Sequence, residues 1–572
     1  MTQLVKVCIF STICTGIHAQ NWSTFSGNNE RSGYSKLKGP DNFESNIWKI
    51  DDAGQTTLGN AVYSFGDKFV TSRITFSPYK GIIECRDLKT GLLLWTSEAI
   101  TNNSILYSIG FTYDAVYAND YSNGDIYALH PSTGKILWKA AEKAYVFGAY
   151  PGCVFACNGD PILGGEPQTS SFTKRLDKYT GKTKWVNKTI IAVTPNAGLA
   201  CTNDKVYRIT GGITIPITLS AIDINTGKTL FSSSPLKGDG DQENPITLGP
   251  DGMIYFKRDG GLLYAFRDNG SDFEIVWTYE LNTNSGAAIS GNLSLGSDHH
   301  IYIFDNGRIL KLDKGNGSVL AATSIEFEYS QPSMTIDSDS KVYFNNGLGK
   351  LYILTESLQT IKSEINIPSN VYCNPSISKD GFMVLTQGGR NIQAFRNTTE
   401  QKCIADFRAS SYTLKEGETV DFFDQSSNQA LDFEWKFEGA DIEHFIDNNP
   451  TDIKYSKAGI YSVRLIAQNK LGRDTVLKEC LIEVLPSNTL VNNLEDENLF
   501  IYPNPVADIL SIELEESITG ANFYILDSYY SIKIRGNLTA TKNTINLENL
   551  PSGMYYLMVN QDAIRTMKII KL

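Results

Sequence analysis

Short runs of alternating apolar and polar residues, broken by glycine-containing turns, fill the first four hundred positions of the chain. Alternation with a period of two predicts half-buried strands. The clearest unit is Asp125-Ile-Tyr-Ala-Leu-His-Pro-Ser-Thr-Gly-Lys-Ile-Leu-Trp138: a strand, a Thr-Gly turn, and a second strand ending in an aromatic residue. The same turn and aromatic recur as Thr90-Gly91 with Trp95, Thr180-Gly181 with Trp185, and Thr226-Gly227 with Phe231. Weaker copies stand at Asn269-Gly270 with Trp277 and at Asn316-Gly317. Successive turn glycines lie about 43–47 residues apart, the length of one four-stranded propeller blade. A second hairpin sits inside each period, as in Val116-Tyr117, Asn123-Gly124, Ile126-Tyr127 and in Ile301-Tyr302, Asn306-Gly307, Ile309-Leu310. Asn-Gly between apolar runs marks a tight hairpin, because both central residues need positive φ.

Strands of the Leu-x-Ala-x-Asp type begin near residues 83, 126, 175, 219, 263, 309, 351 and 392, which predicts eight blades. The last lacks a following Thr-Gly and aromatic strand. The segment Asn46-Ile-Trp48-Lys-Ile near the N-terminus has that character and is expected to complete the eighth blade. Sharing one blade between the two ends of the repeat leaves no free sheet edge.

Beyond residue 400 the pattern changes. Residues 404–485 carry short alternating strands, among them Phe433-Glu-Trp435-Lys-Phe437 with its large aromatics on one face, and are expected to form an immunoglobulin-like β-sandwich. Residues 486–498 are polar and acidic, a linker. Residues 499–572 alternate again and predict a small C-terminal β-sandwich. The fold class is therefore all-β: an eight-bladed β-propeller over 20–400 followed by two sandwiches.

Residues 1–19 read as a signal peptide, with Lys6 in a short n-region, a mostly apolar run from Val7 to Ile17, and Ala19 before the cleavage point. No other stretch reaches the roughly 18 apolar residues of a spanning helix, so the mature chain is expected to have no transmembrane segment. A formal net charge of -12 argues against a nucleic-acid partner, which needs a basic face. Nine cysteines are scattered, two of them inside the signal, and make no disulfide framework.

Candidate chemistry is sparse. The run Asp239-Gly-Asp241-Gln-Glu243 resembles the start of a calcium loop, but Asn244 and Pro250 stand where an EF-hand needs Gly and Glu. Asp239, Asp241 and Glu243 remain the candidate calcium ligands. His130 occupies a turn position held by Asp in other repeats, and His299 and His300 precede a strand, where adjacent side chains point apart. No Gly-x-Ser-x-Gly elbow or His-Glu-x-x-His helix is present, and no catalytic residue is assigned.

Three segments resemble known families. The opening Asn21-Trp22-Ser-Thr-Phe-Ser-Gly-Asn-Asn-Glu-Arg31-Ser-Gly-Tyr34 and the Thr-Gly-Lys-x-x-Trp strands are similar to quinoprotein-like (pyrroloquinoline-quinone-like) propellers. In that family the tryptophan wedges between blades. The quinone enzymes of the family carry two adjacent cysteines over the cofactor and a Glu, Asn, Asp set for calcium. This sequence has no Cys-Cys pair and no Cys-x-x-Cys-His haem motif, so no quinone cofactor is expected. Trp435 and Tyr455-Ser-Lys-Ala-Gly459-Ile-Tyr461-Ser-Val463-Arg-Leu465 resemble a PKD module, with Trp435-Lys-Phe437-Glu438 departing from the usual Trp-Asp-Phe-Gly. Cys403 and Cys480 flank that module, placed to bridge its first and last strands. Ile501-Tyr502-Pro503-Asn504-Pro505, with Gly553-Met-Tyr555 and the end Lys568-Ile-Ile-Lys-Leu572, is similar to the type IX secretion sorting domain of Bacteroidetes. That resemblance implies a chain secreted or held at the outer cell surface, with the type IX machinery as partner through 499–572. The expected function is a non-catalytic binding or scaffold protein for an extracellular polysaccharide or protein. The alternatives are a secreted enzyme acting on extracellular polymer and, behind it, a quinone-dependent dehydrogenase.

Overall fold

A computed structural model describes residues 23–571 apart from 25, 45, 52–54, 58–61, 76–79, 99, 103–105, 121, 145–152, 157, 166–171, 189–198, 211–215, 238–245, 259–260, 283–292, 329–332, 368–374, 387–390, 486–498, 515–520, 528–531, 552 and 561–563. The expected signal peptide and acidic linker lie outside the described residues. Between residues 48 and 396 the described chain forms eight antiparallel sheets, numbered here in chain order. Sheets 2 to 7 each take four consecutive strands in simple up-and-down order, as hairpin-linked alternating runs dictate. Sheet 1 has six strands, because Lys68–Thr75 and Lys80–Asp87 form a long hairpin that recruits short flanking strands. Sheet 8 is built from both ends of the repeat: Trp48–Asp51 pairs antiparallel with Asn391–Arg396, Trp48 opposite Ala394.

Burial orders the strands within each sheet. First strands such as Val154–Phe155, Ala200–Cys201, Thr247–Leu248 and Ser294–Leu295 are buried throughout. Last strands such as Leu93–Thr96 and Ile136–Lys139 bury only their tryptophan. The first strands therefore gather at a propeller-like axis and the last face solvent.

The tryptophans join one sheet to the next. Trp48, Trp95, Trp138, Trp185 and Trp277 lay their rings against Gly91, Gly134, Gly181, Gly227 and Gly317 of the following sheet. Each indole N–H donates to a turn carbonyl there: Leu88 O at 3.0 Å, Pro131 O at 3.0 Å, Lys178 O at 2.8 Å, Ile224 O at 2.9 Å and Lys314 O at 2.9 Å. The glycines hold φ between +68° and +72°, and an added Cβ would come within 2.4–2.8 Å of the ring. Glycine is thus required twice over, for the left-handed backbone and for the close approach. The turn itself is set by an Asp carboxylate. Asp87, Asp177 and Asp223 accept from the backbone N–H groups two and three residues on. His130 does the same work in sheet 2, its Nδ1 accepting from Ser132 N at 3.1 Å. Phe231 replaces tryptophan in sheet 4 and packs on Phe273, ring centroids 4.8 Å apart, while Gly270 faces open space.

A second element runs along the axis. In sheets 2 to 7 the last residue of the inner strand points a backbone N–H at residues 23–33. Phe111 N donates to Ser23 O, Cys201 N to Asn29 O, Leu248 N to Glu30 O, Leu295 N to Ser32 O and Ile336 N to Gly33 O, at 2.8–3.1 Å. In sheet 3 the Asn29 side chain substitutes for backbone, accepting from Phe155 N and donating to Phe155 O, both at 2.8 Å. One polar segment thus visits sheets 2 to 7 in order and satisfies donors that the narrow axis leaves without a strand partner. Arg31 lies wholly buried within it, its Nε donating to Leu199 O at 2.9 Å. The segment leaves between sheets 7 and 8, where Gly39 N donates to the buried Asp337 carboxylate at 3.0 Å and Lys341 bridges Asp337 and Asp41 at 3.2 and 2.9 Å. Burial raises the Asp337 pKa, whereas Asp41, bonded to Lys362 and Lys341, is drawn down to about 2 against the effect of its own burial.

Residues 404–485 form three sheets packed around Trp435, which is completely buried, stands 5.0 Å from Phe407 between ring centroids, and donates to Asp447 O at 2.8 Å. The largest sheet runs Thr413–Lys415, Gly472–Leu485, Gly459–Asn469, Asp432–Phe437, His444–Phe445, and the first pairing is parallel. The bridge expected between Cys403 and Cys480 does not form: Cys403 is a buried thiol donating to Ala467 O at 3.1 Å. The strand that contains Cys480 pairs instead with Gly459–Asn469, and ladder hydrogen bonds hold the sheet. The last segment, 499–571, is two further sheets over a core that includes Leu510, Ile512, Ile525, Leu557 and Ile569. Its opening loop is tied to its final strand, with Val506 N donating to Ile570 O at 2.7 Å and Ile570 N to Asn504 Oδ1 at 2.8 Å.

Two glycine substitutions separate ring contact from backbone strain. Gly181→Ala and Gly270→Ala both force alanine to positive φ, an expected cost of about 1–2 kcal/mol. Only Gly181→Ala also drives a methyl into Trp138, adding roughly 1–3 kcal/mol. Calorimetry of the propeller transition should therefore show a larger loss for Gly181→Ala; equal losses would contradict the docking account. Asn29→Leu removes both hydrogen bonds to Phe155 and should lower the same transition by about 2–4 kcal/mol. An unchanged transition would show that the axial segment contributes nothing.

Candidate functional site

The repeat places two kinds of turn at one end of the sheets: those after the inner strands and those that receive the tryptophans. This end is where the chain brings chemistry together. The axial segment closes its centre. Near Arg31 lie Tyr63, Cys153 and Cys201, from sheets 1, 3 and 4. Burial lowers the Arg31 pKa, raises that of Tyr63, and pushes the Cys153 thiol up to about 12. A thiol in that range stays protonated at neutral pH and is a poor nucleophile.

The unit of residues 404–485 is seated on the same end. Asn428 N donates to Asp380 Oδ1 of sheet 8 at 2.7 Å, and Gln425 approaches Gly66 of sheet 1. Asn469 Nδ2 donates to Gln401 O and to Asn428 O, both at 2.8 Å, clamping the connection between the two units. The Arg408 guanidinium lies between the rings of Tyr113 from sheet 2 and Phe423 of that unit, at 3.7 and 3.8 Å. Lys178 of sheet 3 pairs with Asp114 of sheet 2 at 2.7 Å and lies 4.7 Å from the Tyr179 ring and 5.8 Å from Tyr412. Burial opposes the charge on Lys178, but Asp114 outweighs it and raises the pKa. Burial lowers the Arg408 pKa and raises that of Tyr412. Two cavities also open at this junction. One of about 430 Å³ lies between Lys36, Lys38 and Ser338 and the module's Lys402–Ala405 and Asp474–Leu477 stretches. One of about 460 Å³ lies between Ile47, Arg396 and Leu431. Junctions between units are common places for ligand sites.

The residues singled out from the sequence do not meet there. Asp239, Asp241 and Glu243 lie outside the described residues. His300 accepts from Lys314 N at 3.2 Å and supports a turn, His299 holds φ +66° beside it, and His444 is an exposed edge-strand residue. Among the described residues no three His, Cys, Asp or Glu side chains group as a metal site. The cysteine pair of quinone enzymes has no counterpart either: Cys85, Cys153 and Cys201 belong to three different sheets. The described residues do not supply the cysteine pair that cofactor needs. Sequence reasoning missed the axial role of Asn29 and Arg31 and the junction of Tyr113, Tyr179 and Arg408. The signal for the latter was available in the repeats, where the position of Tyr179 is otherwise Lys89, Ser132, Asn225 or Gly315.

Comparison with known proteins agrees with this organisation. Residues 168–388 match the family described as outer membrane protein assembly factor BamB. Residues 500–571 match the secretion system C-terminal sorting domain, the mark of a secreted or cell-surface protein. No curated protein matches the chain. Among solved structures, a europium-containing methanol dehydrogenase is 12% identical over 64% of this chain and 89% of its own, with a TM-score of 0.50. The quinohemoprotein alcohol dehydrogenase of Comamonas testosteroni is 12% identical over 68% and 83%, TM-score 0.48. BamB of Moraxella catarrhalis is 16% identical over 62% and 99%, TM-score 0.45. At these identities the likeness is one of fold alone: residues 168–388 carry repeats of the assembly-factor family and residues 500–571 a secretion sorting domain.

Proposed function

We propose that this chain is an exported, non-catalytic binding protein of the cell surface or medium. In this reading the eight sheets close into one eight-bladed ring, residues 404–485 are a PKD-like module fixed on it, and residues 499–572 engage the type IX machinery. The observation that carries the reading is the sorting-domain match over residues 500–571. Two structural features support a binding role. The axial end that is described is filled by residues 23–33 of the chain itself, and the Cys153 thiol there is held protonated. The aromatic and charged side chains collect instead at a surface junction, the composition that recognises ligands without reacting with them.

Truncation after Asn498 tests the export half. The shortened chain should fold, since each unit has its own core, and should accumulate in the periplasm of a host that carries the machinery. Equal release of truncated and full-length chains would overturn the assignment. The non-catalytic half is tested with purified full chain, pyrroloquinoline quinone and Ca²⁺. No dye-linked oxidation of alcohols or sugars is expected, and saturable turnover would refute it.

A further inference from the structure

The internal repeats act as their own control on what each turn needs. In the turns that receive a tryptophan, the second residue after the capping Asp or His is Lys89, Ser132, Tyr179, Asn225 and Gly315 in sheets 1, 2, 3, 4 and 6. A lysine, a serine, an asparagine and a glycine all serve, so the turn makes no demand for a ring. Yet Tyr179 stands 71% exposed, with its hydrophobic face unburied. In the turns after the inner strands, Gly66 and Asn203 match Tyr113, which is 42% exposed although one of its faces is covered by Arg408. Neither tyrosine is needed by its turn, and they come from adjacent sheets.

They are also organised. The Lys178–Asp114 pair, at 2.7 Å, ties the two turns together. Lys178 sits against Tyr179 at 4.7 Å, and Arg408 backs Tyr113 at 3.7 Å, so each ring has a cation on one face. Gly159 of sheet 3 borders the ion pair, its absent side chain leaving room beside Asp114 and Lys178. The result is two exposed tyrosines on neighbouring turns, with the partly exposed Asp114 carboxylate held by the buried Lys178 ammonium, at a seam between propeller and module.

We propose that this seam binds a neutral polysaccharide. A pyranose ring presents one face of C–H groups, which carry positive partial charge and stack on the negative face of an aromatic ring. Its hydroxyls donate, which suits the partly exposed Asp114 carboxylate. The patch is a few residues wide, far below the area of a stable protein interface. This inference rests on the reading of the chain as an extracellular binding protein and names the ligand class for it.

The test is affinity electrophoresis of the full chain in gels containing a soluble β-glucan, a galactomannan or a dextran. At least one should retard the wild type. Tyr179→Ala should weaken that retardation about tenfold, as expected for loss of one aromatic stack, with no change in melting temperature because the ring is exposed. Asp114→Asn should weaken it too. A wild type unretarded in all three gels overturns the proposal, as does capture of a protein rather than a glycan at these tyrosines. Retardation that Tyr179→Ala leaves intact removes the seam as the site while leaving the binding role standing. The export assay above is independent of all these outcomes.

Discussion

Everything in the propeller follows from one contact, a flat indole laid on a glycine. A tryptophan ring can approach a backbone closely only where no Cβ intervenes, and the turn that bends correctly there needs positive φ. Glycine meets both conditions at Gly91, Gly134, Gly181, Gly227 and Gly317. The indole N–H then reaches a carbonyl of the same turn, so the contact is oriented as well as apolar. Because the residue that docks and the residue that receives sit in the same strand–turn–strand unit, each unit both reaches forward and is reached. That reciprocity sets the period and the order of the sheets. Where it lapses, other rings take over: Phe231 on Phe273 after sheet 4, and Phe304, Phe327 and Phe344 between sheets 6 and 7.

This explains which parts of the fold were legible. Thr-Gly-x-x-x-Trp is a local pattern, and its consequence is local, so the sheets and the closing strand at residue 48 could be read from the chain. His130 was legible for the same reason, since it fills the place of an Asp in a repeated turn. The axial segment was not. Its role depends on six sheets converging, and its residues are polar, Asn28, Asn29, Glu30 and Arg31, the composition of an exposed loop. Only the convergence of inner strands creates the row of N–H groups that makes such a segment belong inside. The thiol of Cys403 misled in the opposite direction: flanking positions in sequence said nothing of the carbonyls of Ala467 and Gly472 that receive it.

The candidate site was illegible for a related reason. Tyr113, Tyr179 and Arg408 are separated by up to 295 residues and come from two different units. Each is unremarkable in its own turn or strand. What distinguishes them is the contrast with their counterparts in the other repeats, a comparison that has meaning only once the register between repeats is known. A repeat protein can vary one turn without disturbing its neighbours, because each sheet contacts only the next. The tyrosines therefore carry information about ligand, whereas the tryptophans and glycines carry information about fold.

Closure also orders the events of folding. Residues 23–33 take their partners from sheets 2 to 7, and Trp48–Asp51 takes its partner from residues 391–396. Neither can settle until the whole repeat exists, so the earliest described residues are among the last to lock. Long-range pairings of this kind are slow, because loop closure must be paid before the contacts reward it. Until then the inner N–H groups and the edge of sheet 8 stay open to other strands. The tail carries no such dependence. Its core is its own, and its opening loop is fastened to its final strand by Asn504 and Val506 rather than to the propeller. A sorting domain that folds on local terms, attached to sheets that settle only when the repeat is complete, can be presented for export independently of them.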